Sequence, residues 1–317
     1  MEILIRKILS KFPAFLRMSE LRALDASIHE HFIRLGSDPA GQANYVYWGR
    51  QSYSWKRAVP PVRPSAGDLK IYKQFLKEHK GVKRVLILGS TPELREMVAS
   101  ETNATIYVAD ESFPMLAGML KFAPRADPLK EKWIKDDWVT LPFPPKFFDV
   151  ILGDVVLHQV TPEREQSFLQ HMAHLLQNDG VFITRLFFLD KSFFNKSVDS
   201  IVKDIDIGRY SAEERRTLIM LQVLWLYADL AERKFNRHRS AEAIDRYVRG
   251  RTRRDSLLEN VRDILVADEH SYRDWSPPEE KDLLQLISSF FSIQDRKIAE
   301  DYPVAPYFPV VLLSSRH

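Results

Sequence analysis

Two aspartates and a histidine stand where an α/β protein sets its ligand-binding groups. Asp110 ends the apolar run Ile106-Tyr107-Val108-Ala109, and it follows Gly89, the end of the run Val85 to Leu88, by 21 positions (110 minus 89). A nucleoside-binding βαβ unit uses roughly this spacing to bring a carboxylate against ribose hydroxyls. Asp154 lies just past a further apolar run, Phe148 to Leu152, and His158 follows four positions later. If that segment is helical, the two share a face. His171 and His174 are also helix neighbours, but a metal there needs a third ligand and a supporting shell, and the sequence offers neither. With no cysteine anywhere in the chain, thiolate metal sites and disulfides are excluded. A basic stretch from Arg233 to Arg254 is interspersed with Glu232, Glu242 and Asp245. It reads first as a solvated helical face and second as a patch for an anionic substrate or nucleic acid. Aromatic interleaving of the kind a single-strand binder uses is missing from it.

The elements that position these residues follow from periodicity. Lys83 to Glu111 reads as strand, tight loop at Gly89-Ser90-Thr91-Pro92, helix through Leu94, Met97 and Val98, then strand and acid. A parallel strand pair requires such a crossover. A second crossover helix begins at Glu111 to Leu120. Phe148 to Leu152 is a buried strand, Phe168, Met172 and Leu175-Leu176 repeat at helical spacing, Asn178-Asp179-Gly180 signals a turn, and Val181 to Phe188 is another strand. Strands alternating with helices predict a doubly wound α/β sheet. Residues 191–288 break the alternation. There Ser211 and Glu214 form a capping box ahead of Leu218 to Leu230, which is apolar on most faces and so predicts a helix that is buried or lies in an interface. Phe290 to Ile298 and Phe308 to Ser314 predict an antiparallel pair of closing strands at the sheet edge.

Ahead of this core, Met1 to Met18 reads as an amphipathic helix, its apolar residues broken by Arg6, Lys7 and Lys11; a basic membrane-surface helix is the alternative. Leu21, Leu24, Ile28 and Phe32 give a further buried helical face. The aromatic residues Tyr45, Tyr47, Trp48, Tyr53 and Trp55 form a flap or a lid over the site. Pro60, Pro61 and Pro64 mark a connection, and Ser65 with Asp68 caps the next helix. The length of 317 residues with 45% hydrophobic content supports a large core. A net charge of +3 is too balanced to argue for a nucleic-acid partner. No apolar run reaches the roughly 18 to 20 residues of a membrane span. A cytoplasmic location is expected, in keeping with the lack of cysteine.

In this order the pieces resemble the class I S-adenosylmethionine-dependent methyltransferases. VLILGSTPEL looks like the glycine loop after the first strand, and Ala109-Asp110-Glu111 like the acidic end of the second. DDWVTLPFPPKFFDVILGDVVLHQV is similar to the stretch from the third strand's tip through the fourth strand, and QHMAHLLQNDGVFIT to the helix, turn and fifth strand. The resemblance implies a mostly parallel, seven-stranded Rossmann-like sheet with an antiparallel terminal strand. It divides the chain into an N-terminal cap (1–65), a methyltransferase core (66–190 and 289–317) and a helical insertion after the fifth strand (191–288).

The same resemblance implies the cofactor S-adenosylmethionine and a set of contacts. Asp110, with Glu111 beside it, falls on the ribose hydroxyls. Met115 lies near the adenine face, Asp137 accepts from the adenine amino group, and Trp138 lies beside the ring. Only Gly89 of the usual three loop glycines is present, with Thr91 and Glu93 in the other two places. Contacts to the methionine end then pass to Arg63 or Glu93. Asp154 borders the cofactor, and Asp154 or His158 serves as base where the acceptor arrives protonated. Methyl transfer depends mostly on orientation and exclusion of water. Asp154 and Asp190 lack the companions of a magnesium site, so no metal is expected. The activity implied is methyl transfer to a small-molecule acceptor. The alternative is a catalytically silent binding protein, a homodimer through the insertion being one form, and a nicotinamide-dependent oxidoreductase is a third reading. The missing Gly-x-Gly-x-x-Gly counts against the third.

Overall fold

The computed structural model describes residues 55–189, 191–206, 210–250, 255–267 and 275–316. The expected N-terminal helices, the aromatic residues Tyr45 to Tyr53, Asp190 and Arg251 to Arg254 lie outside the described residues. In chain order the elements are α1 (Ala66–Glu78), β1 (Arg84–Leu88), α2 (Pro92–Glu101), β2 (Thr105–Ala109), α3 (Phe113–Gly118), β3 (Glu131–Ile134), β4 (Phe148–Asp154), α4 (Glu165–Leu175) and β5 (Leu176–Arg185). The chain continues with α5 (Val198–Asp206), α6 (Ala212–Leu226), a two-residue hairpin β6 (Ala228–Asp229) and β7 (Lys234–Phe235), α7 (Arg237–Arg249), α8 (Ser256–Ala267), α9 (Glu280–Ser288), β8 (Phe291–Lys297) and β9 (Val310–Ser315).

The main sheet has seven strands in the order β3-β2-β1-β4-β5-β9-β8. The first five are parallel, and β9 runs antiparallel to both neighbours. Alternating side chains divide each strand between two cores. Val85 and Ile87 of β1 face α1 and α2 through Tyr72, Phe75, Leu94 and Val98. Leu86 and Leu88 face α4 and α9 through Phe168, Met172, Leu283 and Ile287. Being covered on both faces is what makes the central strands continuous apolar runs.

Local signals explain the helix starts. Ser65 accepts from the Asp68 amide and Asp68 from the Ser65 amide, and Ser211 with Glu214 repeats that box. Three details differ from the periodicity reading. β3 was not visible as an apolar run, because it is an edge strand carrying Glu131 and Lys132; Glu131 is buried only through its ion pair with Arg95. β5 starts at Leu176 instead of Val181: the register shifts between Phe148 and Val150, so the Asn178-Asp179-Gly180 signal is absorbed inside the strand as an irregularity. α6 stops at Leu226, where the chain turns into the small hairpin.

Helices α5 to α8 form a third core with Val155, Phe187, Leu189, Val304 and Phe308 from the sheet's carboxyl end. Leu218, Ile219, Val223 and Trp225 of α6 are all buried within the chain. Among the described residues, no helix is long and apolar enough to cross a membrane.

Candidate active site

The carboxyl ends of the parallel strands carry the chemistry in one spatial row. Asp137 comes shortly after β3, Asp110 directly after β2 and Gly89 after β1, while Asp154 ends β4 and Arg185 ends β5. The strand order reverses between β1 and β4, the switch point at which open α/β sheets form a crevice. A cavity of about 500 Å³ opens there. Its wall takes in Gly89, Thr91, Asp110, Glu111, Met115 and, farther along, Asp137, Trp138, Asp154 and His158. Trp55, the last of the aromatic cluster, is in the wall as well.

The glycine loop is tied to its neighbours by backbone geometry. Gly89 has φ +77°, a left-handed conformation that side chains disfavour. A Cβ there would stand 3.6 Å from the Trp138 ring. The Ala109 carbonyl accepts from the Gly89 amide and from Trp138 Nε1, both at 2.8 Å. Asp110 accepts from Ser90 Oγ at 2.9 Å and from the Ser112 amide at 2.8 Å, one bond on each carboxylate oxygen. Asp137 caps the turn Trp138–Thr140 through the Val139 amide at 3.0 Å and pairs with Arg164.

Asp154 sits in a buried network that the sequence reading did not foresee. Arg185 donates Nε and Nη2 to the two Asp154 oxygens at 2.8 and 3.1 Å. Its Nη1 donates to Asp68 at 2.9 Å and Nη2 to the Pro61 carbonyl at 2.7 Å. Tyr72 donates to the Gly153 carbonyl and accepts from the Arg185 amide, each at 2.7 Å. Two carboxylates thus share one guanidinium. Burial pushes the Asp154 carboxyl up to about 6; Arg185 opposes the shift, and Asp68 and Glu93 add to it. Burial also works against the Arg185 charge, but Asp154, Tyr302 and Asp68 outweigh it and hold the guanidinium ionised.

His158 and Asp154 do not share a helical face, contrary to the conditional expectation. Val155 takes φ +53°, which turns the chain off β4, and His158 falls in a separate short turn, Leu157–Gln159. A positive φ at a β-branched residue is strained, and such strain gathers at functional sites. The His158 ring stands edge-on to Phe187, with centroids 4.9 Å apart, and its carbonyl accepts from Trp275 Nε1 at 2.9 Å. Arg63 and Glu93 pair with each other at 2.6 Å and do not contribute to the wall. Glu93 also accepts from Trp55 Nε1, while its Oε2 is buried with no hydrogen-bond partner among the described residues. Burial raises the Glu93 carboxyl against the opposing pull of Arg63. His171 contacts the Leu141 carbonyl at 3.2 Å. The described residues hold no group of three or more metal-ligating side chains.

Sequence reasoning missed Arg185, Asp68 and Tyr72, together with the acceptor-side wall of Phe187, Phe308, Trp225 and Arg216. Arg185 left one signal, a charge inside the apolar run 181–188. The others acquire meaning only through contacts between residues far apart in the chain, such as Asp68 and Arg185 at 117 positions.

Comparison with known proteins agrees with this geometry. Residues 88–184 match the family described as a methyltransferase domain. No protein of curated function matches the chain in sequence. A Rhodobacter sphaeroides structure provisionally described as a zinc-dependent alcohol dehydrogenase is 16% identical, with 88% of this chain and 100% of that chain covered and a TM-score of 0.54, a likeness of fold. The 1,6-didemethyltoxoflavin-N1-methyltransferase of Burkholderia thailandensis, solved with 1,6-didemethyltoxoflavin and S-adenosylhomocysteine, is 14% identical over 93% of this chain and 90% of that chain, TM-score 0.48. The N-methyltransferase NodS of Bradyrhizobium japonicum, solved with S-adenosylhomocysteine, is 9% identical over 86% and 98%, TM-score 0.46. The sheet order and the matched stretch define a class I methyltransferase domain. That stretch runs from the end of β1 to the end of β5, the part of the chain that carries the ligand edge of the parallel sheet.

Proposed function

We propose that this enzyme methylates a small-molecule acceptor enclosed between the sheet's carboxyl edge and the helical insertion. The observation that carries the reading is the single cavity wall in which Gly89, Asp110, Asp137 and Asp154 meet residues of α6, β7, α7 and α8. The chain divides accordingly into a cap, a core and an insertion with the boundaries expected above.

The residues present fit the cofactor. Asp110 brings a carboxylate to the wall for the ribose hydroxyls, and Glu111 lies beside it. Asp137 and Trp138, with Met115, bound the adenine position. Gly89 and Thr91 leave the loop open where a larger residue would meet Trp138. Arg63 and Glu93, expected at the methionine end, pair with each other outside the wall, and Glu93 Oε2 is buried with no hydrogen-bond partner among the described residues. When bound, S-adenosylmethionine supplies an electrophilic methyl group on a sulfonium.

The protein's part is to orient and to desolvate. Asp154 and Asp68 share Arg185, and the surplus negative charge favours a cation at the floor of the cavity. His158, held between Phe187 and Phe235, is placed to receive a proton from an acceptor nitrogen or oxygen. Titration calorimetry on the purified chain tests the reading. Micromolar binding of S-adenosylmethionine and S-adenosylhomocysteine with no binding of NAD is expected. Binding of NAD alone would remove it.

A further inference from the structure

The cavity wall is divided by charge. Its carboxylates, Asp110, Glu111, Asp137 and Asp154, all come from the ends of sheet strands. Among the described residues the insertion contributes no carboxylate to the wall; it contributes Arg216 of α6 and Arg237, the first residue of α7. Arg216 stands on the α6 stripe of Thr217, Met220, Leu221 and Leu224, all in the wall, at the positions that one helical face brings together. It is half-buried and makes no hydrogen bond or ion pair among the described residues. Of the acids near it in sequence, Glu214 closes the helix cap and Asp206 pairs with Arg215. The surface between is aromatic. Phe187 and Phe308 stack with centroids 4.6 Å apart and planes within 7°, and Trp225 lies 5.3 Å from Phe187.

A guanidinium in the cavity wall that pairs with no carboxylate among the described residues is chemically an anion site. Its planar fork suits a carboxylate bidentately. We infer that the methyl acceptor is a flat aromatic molecule bearing a carboxylate. Its ring lies on Phe187, Phe308 and Trp225, and its anionic group is held by Arg216 with Arg237 as the second cation. The cofactor's positive charge falls on the acidic half and the acceptor's negative charge on the basic half, so each is steered to its own end. The inference rests on the methyl-transfer reading of the cavity.

The test is calorimetry on the full chain saturated with S-adenosylhomocysteine, using 2-naphthoate and 2-naphthamide, which share a ring system and differ in charge. Naphthoate should bind about tenfold or more tightly than the amide. In R216Q that advantage should fall below about threefold, with S-adenosylhomocysteine affinity within about twofold of the native protein. Equal affinities in the native chain, an advantage that survives in the R216Q/R237Q double variant, or no naphthoate binding at millimolar concentration would each overturn the inference. Failure of S-adenosylhomocysteine itself to bind would instead overturn the reading of the cavity beneath it.

Discussion

Asp110 combines two duties at one carboxylate, since it fixes the loop through Ser90 and Ser112 and faces the cavity. Hydrogen bonds to a charged group contribute about 1.5–3 kcal/mol. Asp110→Ala should therefore weaken S-adenosylhomocysteine binding by about 10- to 100-fold in calorimetry, while far-ultraviolet circular dichroism stays native. Asp154 makes a separate prediction about pH. Its folded carboxyl titrates near 6, so it is charged above that pH and neutral below it. A bound cation favours the charged form and must displace the proton at lower pH. Affinity for S-adenosylmethionine should thus rise with pH through 6, being about tenfold weaker at pH 5 than at pH 8. The product, which lacks the sulfonium charge, should show a smaller slope. Equal slopes for the two would separate Asp154 from the sulfonium.

Among the elements, the guanidinium of Arg185 is the joint between β4, β5 and α1. It is fully buried and reaches Asp154, Asp68 and the Pro61 carbonyl at once. Removing one member of a buried ionic group leaves the others charged and unpaired, at a cost of about 3–5 kcal/mol. Arg185→Met should lower stability in urea by that amount and also weaken the cofactor, because Asp154 loses its clamp. Arg95→Met strands Glu131 at the far edge of the sheet, where Arg95 also bonds the Leu116 carbonyl. It should destabilise comparably yet leave cofactor affinity within a few-fold once the protein is folded. The contrast between the two variants distinguishes a joint beneath the site from a staple away from it.

For the whole molecule, the insertion and the sheet are one packed body at Trp225. This side chain is buried and meets Phe187, Phe193, Tyr307 and Phe308, which come from both sides. Large-to-small truncation of such a residue costs about 3–5 kcal/mol. Trp225→Ala should reduce stability by that order in a urea titration and abolish aromatic acceptor binding, while S-adenosylhomocysteine affinity changes little. Loss of both ligands together would show that the insertion also shapes the cofactor half. The apolar character of α6, which in sequence predicted a helix either buried or in an interface, is accounted for by this internal packing and by the cavity wall.

The sequence by itself determined the strand–helix alternation, the two capping boxes, the closing antiparallel pair and the placement of Gly89, Asp110 and Asp154 at strand ends. These are local properties: apolar runs covered on both faces, period-2 alternation and turn chemistry are written within a few residues. The edge strand β3 escaped because its burial depends on a partner, Arg95, in a helix far back in the chain. The separation of Asp154 from His158 onto different turns escaped because one strained residue, Val155, decides it. Only the tertiary structure decided that Arg185 holds Asp68 and Asp154 together across 117 and 31 positions. It alone set Arg216 across a cavity from the acids. Long-range contacts of this kind carry no periodicity, and a charged side chain reads the same in sequence whether it ends in solvent, in a buried network or in a binding site.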